Sequence, residues 1–591
     1  MDKGIVLLMI LFFVLIYTSV SPLGFEVVKA SGTIYIMADG SIDPPAAPIQ
    51  RTDNTYIFTS DINEPIVVER DYITIDGAGY TIQGTGSEKG IDISERTYVT
   101  IKNTNIKTFS TGVYLYQLAS YNSIVGNNIT NCSFASLLDY DANSNTFSNN
   151  NLEGSISLNQ VSNNNKIYGN DFINGSILLN MVSNNNNISK NDIAGTISID
   201  HSRYNTIVEN NITTPEYAIG ISLMSSSNNS ILRNTFSNGG LWVHESYDNS
   251  VMNNSINGKS LVYLENVSNY TVDNAGQVIL VKCHDIVVQN LDLSHAGVGI
   301  EMLGTVYSEI SHNNITNNAG IELWHSANNN ISRNNITNNG LGIYLRSSAI
   351  NSISANNITN NVNGIQLNAH SDYNTIFGND IKANTDSGII LYESKSNSIL
   401  HNNFAENQKH VSTDGFYGNL WDDGVEGNFW SNYTGVDDDQ DGIGDSSHVI
   451  DAENQDIHPL MGRFSSFNTS KGSLVNIVSN SSIEDFRYFQ SNSTIRMQVS
   501  NTTANQTFGF CRVCIPHALI NETYRVTVND AEPYKVNYTL YDDGSNRWIY
   551  FSYRHSTLEI VIIPEFLWLI PSLLIATIPI LVIIRRRKHS A

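Results

Sequence analysis

Apolar and polar positions follow a repeat of the form N-x-I-x-x-N-x-I, which recurs about every 22 residues through the middle of the chain. The repeat is first seen from Asn122 to Ile129 and is last seen from Asn397 to Phe404. Apolar and polar residues alternate over short stretches such as Gly320 to Trp324, which is the period of a strand and not of a helix. The first apolar positions of the copies are Ile124, Phe147, Ile167, Ile188, Ile207, Ile231, Val251, Ile310, Ile331, Ile353, Ile376 and Ile399. The pattern predicts a series of similar turns, each made of short strands.

One such turn cannot bury its own apolar residues, so the turns must stack, and each strand pairs with its counterpart in the next turn. Leucine-rich repeats share this period but need regular leucines and helical segments, whereas these repeats are rich in Asn, Ile, Ser and Gly. The sequence therefore predicts an all-β fold, a right-handed parallel β-helix (solenoid).

One asparagine keeps its register in every copy. We interpret this column as a ladder of side-chain amides at a bend where Asn tolerates unusual backbone angles. Its members are Asn127, Asn150, Asn170, Asn191, Asn210, Asn234, Asn254, Asn313, Asn334, Asn356, Asn379 and Asn402.

The repeat resembles that of NosD-like proteins and of the wider parallel β-helix family of carbohydrate-binding proteins and sugar hydrolases. The segment Val67–Ile82 resembles the first turns of the family's β-helix. The segments Asn419–Gly424 and Gly427–Tyr433 resemble the end of that β-helix. The resemblance covers about residues 32–462 and is specific for fold but poor for activity. It implies a role with carbohydrates. The family's name also implies copper delivery, but copper is not expected as a cofactor because the Met and His residues do not cluster.

The two ends of the chain indicate export and anchoring. Residues 1–30 contain an apolar run after an early Lys and are interpreted as a signal peptide, with an uncleaved anchor as the alternative. In residues 563–591 the apolar run Phe566–Ile584 is followed at once by the basic cluster Arg585–Lys588, which favours a C-terminal transmembrane helix with its tail inside the cell. The preceding Pro564-Glu565-Phe566 resembles the archaeal PEF-type sorting signal, which implies a lipid anchor in place of the helix.

The remaining chain is predicted to form four segments. An N-terminal cap spans residues 31–72, the β-helix repeats span 73–418, and a C-terminal cap with a calcium-type loop spans 419–462. Residues 463–562 lose the repeat and contain alternating stretches such as Ser493–Val499, which predict a small juxtamembrane β-sandwich.

Charge and sequons indicate where the protein acts. A net charge of −24 argues against a nucleic-acid partner, since basic residues cluster only in the C-terminal tail. Sequons recur at an outward position, for example at Asn314, Asn335 and Asn357, as is typical of a glycoprotein. We therefore expect a membrane-anchored protein on the extracellular side of the membrane.

The strongest local motif runs from Asp437 to Asp445. It places carboxylates at positions 1, 3, 5 and 9 of an EF-hand-type loop, a glycine at position 6 and a main-chain carbonyl at position 7. The bidentate Glu of position 12 is absent, since His448 stands there. The motif predicts a calcium site, with an exposed acidic turn as the alternative. The expected ligands are Asp437, Asp439, Asp441, Ile443 and Asp445, and the expected role is structural.

Outward positions of one stacked sheet combine aromatic rings with acids, amides and an arginine, as sugar binding requires. The predicted exposed strip contains Trp242, His244, Tyr263, Glu265, Glu301, Glu322, Trp324, Tyr344, Arg346, Gln366 and Tyr392. Glu301 and Glu322 would lie one rung apart, near the carboxyl separation of a retaining glycosidase, roughly 5 Å. They are the candidate catalytic acids, although any adjacent acids of a β-helix meet that distance.

The favoured function is binding of extracellular glycans, or a structural role among components of the cell envelope. The alternatives are a polysaccharide-cleaving enzyme (glycosidase or lyase) and NosD-like copper delivery. An ordinary solvated sheet face accounts for the strip equally well.

Overall fold

A computed structural model describes residues 32–414, 418–521, 523–554 and 556–565. The predicted signal peptide and the apolar run of the predicted anchor lie outside these described residues. Every regular element within them is a β-strand, and no helix among them is long and apolar enough to cross a membrane. The chain forms two compact units, one ending at Gly154 and the other beginning at Ser155.

The first unit is a parallel β-helix, here called the N-terminal coil, with three sheets. Its first sheet contains Ile34–Ile36, Ile42–Asp43, Ile66–Val68, Lys89–Asp92, Thr111–Tyr116 and Phe134–Asp139. Its second contains Ile49–Thr52, Thr55–Phe58, Thr74–Asp76, Thr100–Lys102, Ser123–Val125 and Thr146–Ser148. Its third contains Thr81–Gln83, Asn105–Lys107, Asn128–Thr130 and Asn151–Glu153. Equivalent apolar residues face one another, as Ile101, Ile124 and Phe147 do, and are fully buried.

The second unit begins with a further β-helix, the first coil, over residues 155–256. One sheet contains Ser155–Leu158, Ile177–Leu179, Ile197–Asp200, Ile221–Met224 and Leu241–His244. A second contains Lys166–Tyr168, Asn187–Ser189, Thr206–Val208, Ser230–Leu232 and Ser250–Met252. A third contains Asp171–Asn174, Asp192–Ala194, Asn211–Thr213, Thr235–Ser237 and Ser255–Ile256.

A hairpin then reverses the chain. Ser255–Ile256 pairs antiparallel with the next strand through Asn257 and Gly258. Both of these residues have positive φ, 50° and 79°, and Asn-Gly is the dipeptide that such two-residue turns favour. The reversal starts a new β-helix, the second coil, over residues 259–430. It accounts for the interruption of the sequence repeat after Ile256.

The second coil also has three parallel sheets. The first contains Lys259–Glu265, Gln277–Val281, Ile300–Leu303, Ile321–Trp324, Leu341–Arg346, Asn363–Asn368, Ser387–Tyr392 and Lys409–Thr413. The second contains Ser268–Val272, His284–Gln289, Glu309–Ser311, Asn330–Ser332, Ser352–Ser354, Thr375–Phe377 and Ser398–Leu400. The third contains Asp292–Ser294, Asn314–Thr316, Asn335–Thr337, Asn357–Thr359, Asp380–Lys382, Asn403–Ala405 and Phe429–Trp430. Inward isoleucines and leucines form one continuous core, closed at its end by Trp421 and Trp430.

Buried asparagine ladders run along this core. The predicted column continues from Asn313 through Asn334, Asn356, Asn379 and Asn402 to Asn428, with Nδ2–Oδ1 distances of 2.9 to 3.1 Å. Two parallel ladders were not predicted. They comprise Asn329, Asn351, Asn374, Asn397 and Asn419, and Asn318, Asn339, Asn361, Asn384 and Asn407.

The expected left-handed backbone does not fall on the ladder asparagines themselves. It falls on the residue before each of them, as at Arg333 and Ala355, with φ of 55° and 54°. The prediction was wrong in this detail because the preceding residue makes the bend, while the asparagine turns its amide inward to bond the next rung.

After the coils, the hairpin of His448–Val449 and Gln455–Asp456 leads to two antiparallel sheets, here called the C-terminal sheets. One contains Arg463–Asn468, Leu474–Ser479, Phe508–Pro516, Asn546–Arg554 and Lys535–Asp542, in that spatial order. The other contains Ser482–Phe489, Thr494–Ser500, Leu558–Pro564 and Tyr524–Val528. Buried residues of both sheets, such as Ile477, Met497 and Phe551, belong to one apolar cluster.

Candidate functional site

The predicted strip lies on the outer face of the first sheet of the second coil, in two columns. One column runs Tyr263, Ile279, Glu301, Glu322, Tyr344 and Gln366 in successive rungs. The other runs Glu265, Val281, Leu303, Trp324, Arg346, Asn368 and Tyr392. The rung that contains Ile279 and Val281 was missed because it lies in the interrupted part of the repeat.

Trp242 and His244 reach the strip by a different route. They lie on Leu241–His244, the last strand of its sheet in the first coil, here called the edge strand. Their rings nevertheless contact Trp324: the centroid of His244 lies 4.5 Å from it and that of Trp242 lies 6.3 Å from it, both edge-on. Packing between the coils therefore brings them to the strip.

The edge strand is covered by side chains of the second coil and not by another strand. The Leu241 amide donates to Gln277 at 3.0 Å, and Gln277 Nε2 donates back to the Leu241 carbonyl at 2.7 Å. The Val243 amide donates to both carboxyl oxygens of Glu301, each at 3.1 Å. Successive rungs of the second coil thus bind the alternate residues Leu241 and Val243 of one strand. The main-chain hydrogen-bonding groups of this edge, which could otherwise pair with a strand of another chain, are therefore occupied.

This covering overturns the expected exposure of several strip residues. Glu301 is 0% exposed, and Glu322 and Tyr344 are each 8% exposed. The prediction of a fully solvent-facing strip was wrong at these three positions, because the edge strand packs over Glu301 and Glu322 and the Trp324 ring packs against Tyr344. Trp242, His244, Trp324 and Gln366 are half-buried, as are Tyr263 and Glu265, whereas Arg346 and Tyr392 are exposed.

Glu322 organises the surrounding rings. Its Oε2 accepts hydrogen bonds from the indole N–H groups of Trp242 and Trp324, each at 3.2 Å. Trp242 stacks on His244 with 5.4 Å between centroids, and Tyr344 meets Trp324 edge-on at 5.5 Å. The Arg346 guanidinium lies 5.6 Å from the centre of the Trp324 ring. We call this group, Trp242, His244, Glu322, Trp324, Tyr344 and Arg346, the aromatic corner.

The two carboxyl groups have unusual electrostatics. Burial raises the pKa of Glu301 well above its ordinary value, the Glu322 carboxyl raises it further, and the Val243 amide opposes both. Burial also raises the pKa of Glu322 against the lowering effect of the two indole hydrogen bonds. Burial lowers the pKa of His244, whose Nδ1 is buried and has no hydrogen-bond partner among the described residues.

These contacts limit what the corner can do chemically. Glu301 lies one rung from Glu322, as expected, but it is enclosed and holds a main-chain amide, so substrate cannot reach it. Glu322 supports two indoles from behind. The accessible groups are the faces and edges of Trp242, His244 and Trp324 with the Arg346 guanidinium. The chemistry available to the corner is therefore stacking and charge pairing on a fixed aromatic platform.

The acidic loop, residues 437–445, contains a close group of three carboxylates. Asp437, Asp439 and Asp441 bring carboxylate oxygens within 4.8 Å of one another. Asp437 accepts the amides of Asp441 and Gly442 at 2.9 and 3.0 Å, and burial raises the pKa of Asp437 to about 6. Oxygen donors so close together suit a hard cation such as Ca²⁺.

The other two predicted ligands have different contacts. Asp445 accepts the amide of Asp438 at 2.7 Å and is outside the three-carboxylate group. Ile443 is buried, and its amide donates to Asp441 at 2.7 Å. Arg512 also approaches Asp441, with Nη1 3.0 Å from its carbonyl and 3.4 Å from Oδ2. A cation in this loop would therefore share Asp441 with an arginine.

Arg512 belongs to a buried junction between the second coil and the C-terminal sheets. Its Nε donates to Glu426 Oε1 at 2.6 Å, and Trp548 donates to the same oxygen at 3.0 Å. Glu426 Oε2 lies 3.0 Å from His401 Nε2. Burial alone would raise the pKa of Glu426, but the His401 hydrogen bond and the Arg512 charge lower it to about 2. Sequence reasoning missed this junction because its members are far apart in the chain.

These features define a protein of the parallel β-helix class with an aromatic surface where two coils meet. The family described as "Periplasmic copper-binding protein (NosD)" matches residues 184–361 and 240–435. Residues 184–435 are therefore similar to this family, and the match covers less than half of the chain. No curated protein sequence matches the chain.

Solved structures similar to this chain include a mutant of the periplasmic alginate epimerase AlgG, at 12% identity, covering 66% of this chain and 82% of that one, with a TM-score of 0.24. The Azotobacter vinelandii mannuronan C-5 epimerase AlgE6 A-module has 12% identity, coverage of 61% and 89%, and a TM-score of 0.20. A capsular polysaccharide depolymerase, tailspike gp49 of the Acinetobacter baumannii bacteriophage Fri1, has 8% identity, coverage of 86% and 79%, and a TM-score of 0.20. TM-scores this low carry no inference about the function of this chain.

Proposed function

We propose that this protein binds glycans of the cell envelope or of neighbouring cells through the aromatic corner. The observation that carries the proposal is the cluster of half-buried Trp242, His244 and Trp324 beside the exposed Arg346. A water-facing surface gains little from clustering such rings. A sugar ring, in contrast, offers apolar C–H faces to the rings and hydroxyls to the polar groups beside them.

The corner is preorganised for such a ligand. Glu322 holds both indoles through their N–H groups, so little side-chain entropy remains to be lost on binding. Gln366 and Tyr392 lie further along the same sheet face and extend the platform. Tyr263 and Glu265 bond each other at 2.7 Å, and Glu265 caps the end of the first coil through the amides of Asp248 and Asn249. These two residues therefore support the surface instead of contacting the ligand.

The proposed location is outside the cell, at the membrane. Support comes from the sequence of residues 1–30, from the basic cluster after Phe566–Ile584, and from the "periplasmic" description of the matching family. The C-terminal sheets then form a juxtamembrane β-sandwich, and the PEF resemblance suggests a lipid as the final anchor. The net charge of −24 disfavours a nucleic-acid partner.

We further propose that the acidic loop binds calcium in a structural role. Support comes from the spacing of Asp437, Asp439 and Asp441 and from the proximity of their oxygens. The ion would offset the mutual repulsion of these three carboxylates, of which Asp437 and Asp441 are partly buried and Asp439 is exposed, next to the junction of Glu426 and Arg512. Its effect would be to stiffen the end of the second coil.

Copper delivery is a second candidate, favoured by the description of the matching family. Copper prefers imidazole and sulfur ligands, whereas the group of clustered ligands found among the described residues consists of three carboxylates. Copper titration followed by isothermal calorimetry tests this function. Polysaccharide cleavage through Glu301 is disfavoured by its burial.

The test of glycan binding is a glycan array with the purified chain, followed by affinity measurement on any glycan found. Replacing Trp324 by Ala should weaken binding about tenfold, because one aromatic platform over a sugar contributes ~1–2 kcal/mol. The matched control is Tyr373→Ala, which removes an aromatic side chain, 63% exposed, from a turn of the same coil. Equal affinity of both variants, or no glycan bound by the parent protein, would refute the proposal.

A further inference from the structure

A groove of about 440 Å³ lies between the second coil and the first of the C-terminal sheets. Its volume falls in the usual range of small-ligand sites, ~300–1,000 Å³. The groove is on different strands from the aromatic corner. Its walls come from the second and third sheets of the second coil and from Arg463–Asn468.

The floor of the groove is aromatic and held in place. Phe377 and Phe464 meet edge-on with 5.6 Å between centroids, and His401 stacks on Phe464 at 4.4 Å. The Phe464 main chain is fixed by Asn403, which accepts its amide at 2.8 Å and donates to its carbonyl at 2.9 Å. Gly378 lines the groove with a φ of 62°, a left-handed conformation that glycine adopts without steric cost.

The walls are polar, and their charged residues are one arginine and one aspartate. Arg333 lines the groove and is exposed, and its guanidinium has no ion pair or side-chain hydrogen bond among the described residues. Asp380, also lining the groove, is paired with Arg463 at 3.5 Å. Ser466 adds a hydroxyl whose partner is the Asn476 carboxamide oxygen at 2.7 Å. Because Arg463 already pairs with Asp380, Arg333 is the charged wall residue without an ion pair among the described residues, in a chain whose net charge is −24.

We propose that this groove binds an acidic saccharide, a sugar ring that carries a carboxylate. The carboxylate would pair with the planar fork of Arg333, which accommodates two parallel hydrogen bonds. The apolar face of the ring would rest on the half-buried Phe377, which the buried Phe464 supports edge-on, and the sugar hydroxyls would donate to Asp380. The site is separate from the aromatic corner, so this proposal does not rest on the proposed function.

The test uses the full chain, produced in a host without N-glycosylation because the sequon residue Asn357 also lines the groove. Isothermal calorimetry compares an oligouronate with a neutral oligosaccharide of the same length. The oligouronate should bind more tightly, and its affinity should fall as salt is added. Arg333→Gln should weaken it at least about tenfold, since a charge-assisted bidentate contact is lost.

Two variants serve as controls. Arg203→Gln makes the same change at an exposed arginine of the first coil and should leave uronate affinity unchanged. Arg333→Lys keeps the charge but loses the fork, and its affinity should be intermediate. Trp324→Ala at the aromatic corner should not affect uronate binding, so failure of one proposal is distinguishable from failure of the other. The inference is overturned if the oligouronate does not bind, or if Arg333→Gln binds it as well as the parent does.

Discussion

Replacing Asn356 by Ala tests whether the asparagine ladder stabilises the second coil. Asn356 is 1% exposed and makes four hydrogen bonds through its side chain. Its Oδ1 accepts the amide and the Nδ2 of Asn334 at 2.9 and 3.0 Å. Its Nδ2 donates to the Ile331 carbonyl at 2.9 Å and to Asn379 Oδ1 at 3.0 Å. Truncation removes all four and leaves buried partners unsatisfied.

The expected loss follows from these contacts. Each buried hydrogen bond contributes ~1 kcal/mol net, and unsatisfied buried groups cost ~1–3 kcal/mol, so Asn356→Ala should destabilise the coil by about 3–5 kcal/mol. The chain offers a matched control in the next residue. Asn357 is exposed and donates to Asn335 at 2.7 Å on the surface, so Asn357→Ala should cost less than about 0.5 kcal/mol.

The measurement is urea unfolding followed by circular dichroism, together with hydrogen exchange at the Asn334 amide. Exchange matters because each rung of a solenoid contacts only its neighbours, so damage can remain local. The Asn334 amide should exchange faster in Asn356→Ala and unchanged in Asn357→Ala. Equal stability and equal exchange in the two variants would show that the ladder contributes only register and no net stability.

Four further predictions concern the titration of two glutamates, the metal site and the anchor. The pKa of Glu301 is raised in the folded state, so the folded protein retains a proton that the unfolded chain releases. The free energy of unfolding should therefore fall as pH rises from about 4.5. Glu301→Gln should flatten this part of the pH–stability profile. The opposite sign holds at Glu426: its stabilisation is present above pH 4.5 and should be lost as pH falls toward 2, an effect absent in Glu426→Gln. Chelation should lower the melting temperature of the parent but not of Asp441→Ala, and equal melting of the parent with and without calcium contradicts the metal site. If a sorting protease removes the C-terminal segment and a lipid takes its place, mass spectrometry of the mature protein should find no peptide from Leu567 to Lys588. Recovery of that segment would indicate an intact membrane anchor.

Much of the fold could be predicted from the sequence because every turn of a solenoid repeats the same pattern of apolar and polar residues. Inward residues such as Ile331 and Ile353 recur at one spacing, and strand pairing follows from that register. The Asn334 ladder was readable for the same reason. The ladder through Asn329 was equally periodic and was overlooked, although the first N of the motif marks it in most copies.

The candidate site was less predictable because it depends on contacts between distant segments. The column of Glu301 and Glu322 was assigned correctly, since one sheet's register sets it. The burial of Glu301 could not be foreseen, because it requires the reversal at Asn257 that places the edge strand over the sheet. The groove beside Arg333 likewise needs Phe464, which the repeat pattern does not describe.

The cap on the edge strand has a consequence for how this chain can change in length. The side chains of Gln277 and Glu301 accept the main-chain hydrogen bonds of the edge strand that a further strand of the first coil would need for pairing. Repeats therefore cannot be added at that end of the first coil. The middle of the second coil has no such stop. Neighbouring ladder residues Asn334 and Asn356 are 22 positions apart, and each contacts only adjacent rungs. Gene duplication or an engineer could therefore lengthen or shorten the second coil by whole 22-residue blocks. A block placed between Trp324 and Asp380 would separate residues of the aromatic corner or of the groove, because Arg333 of the groove lies between Trp324 and Tyr344 of the corner.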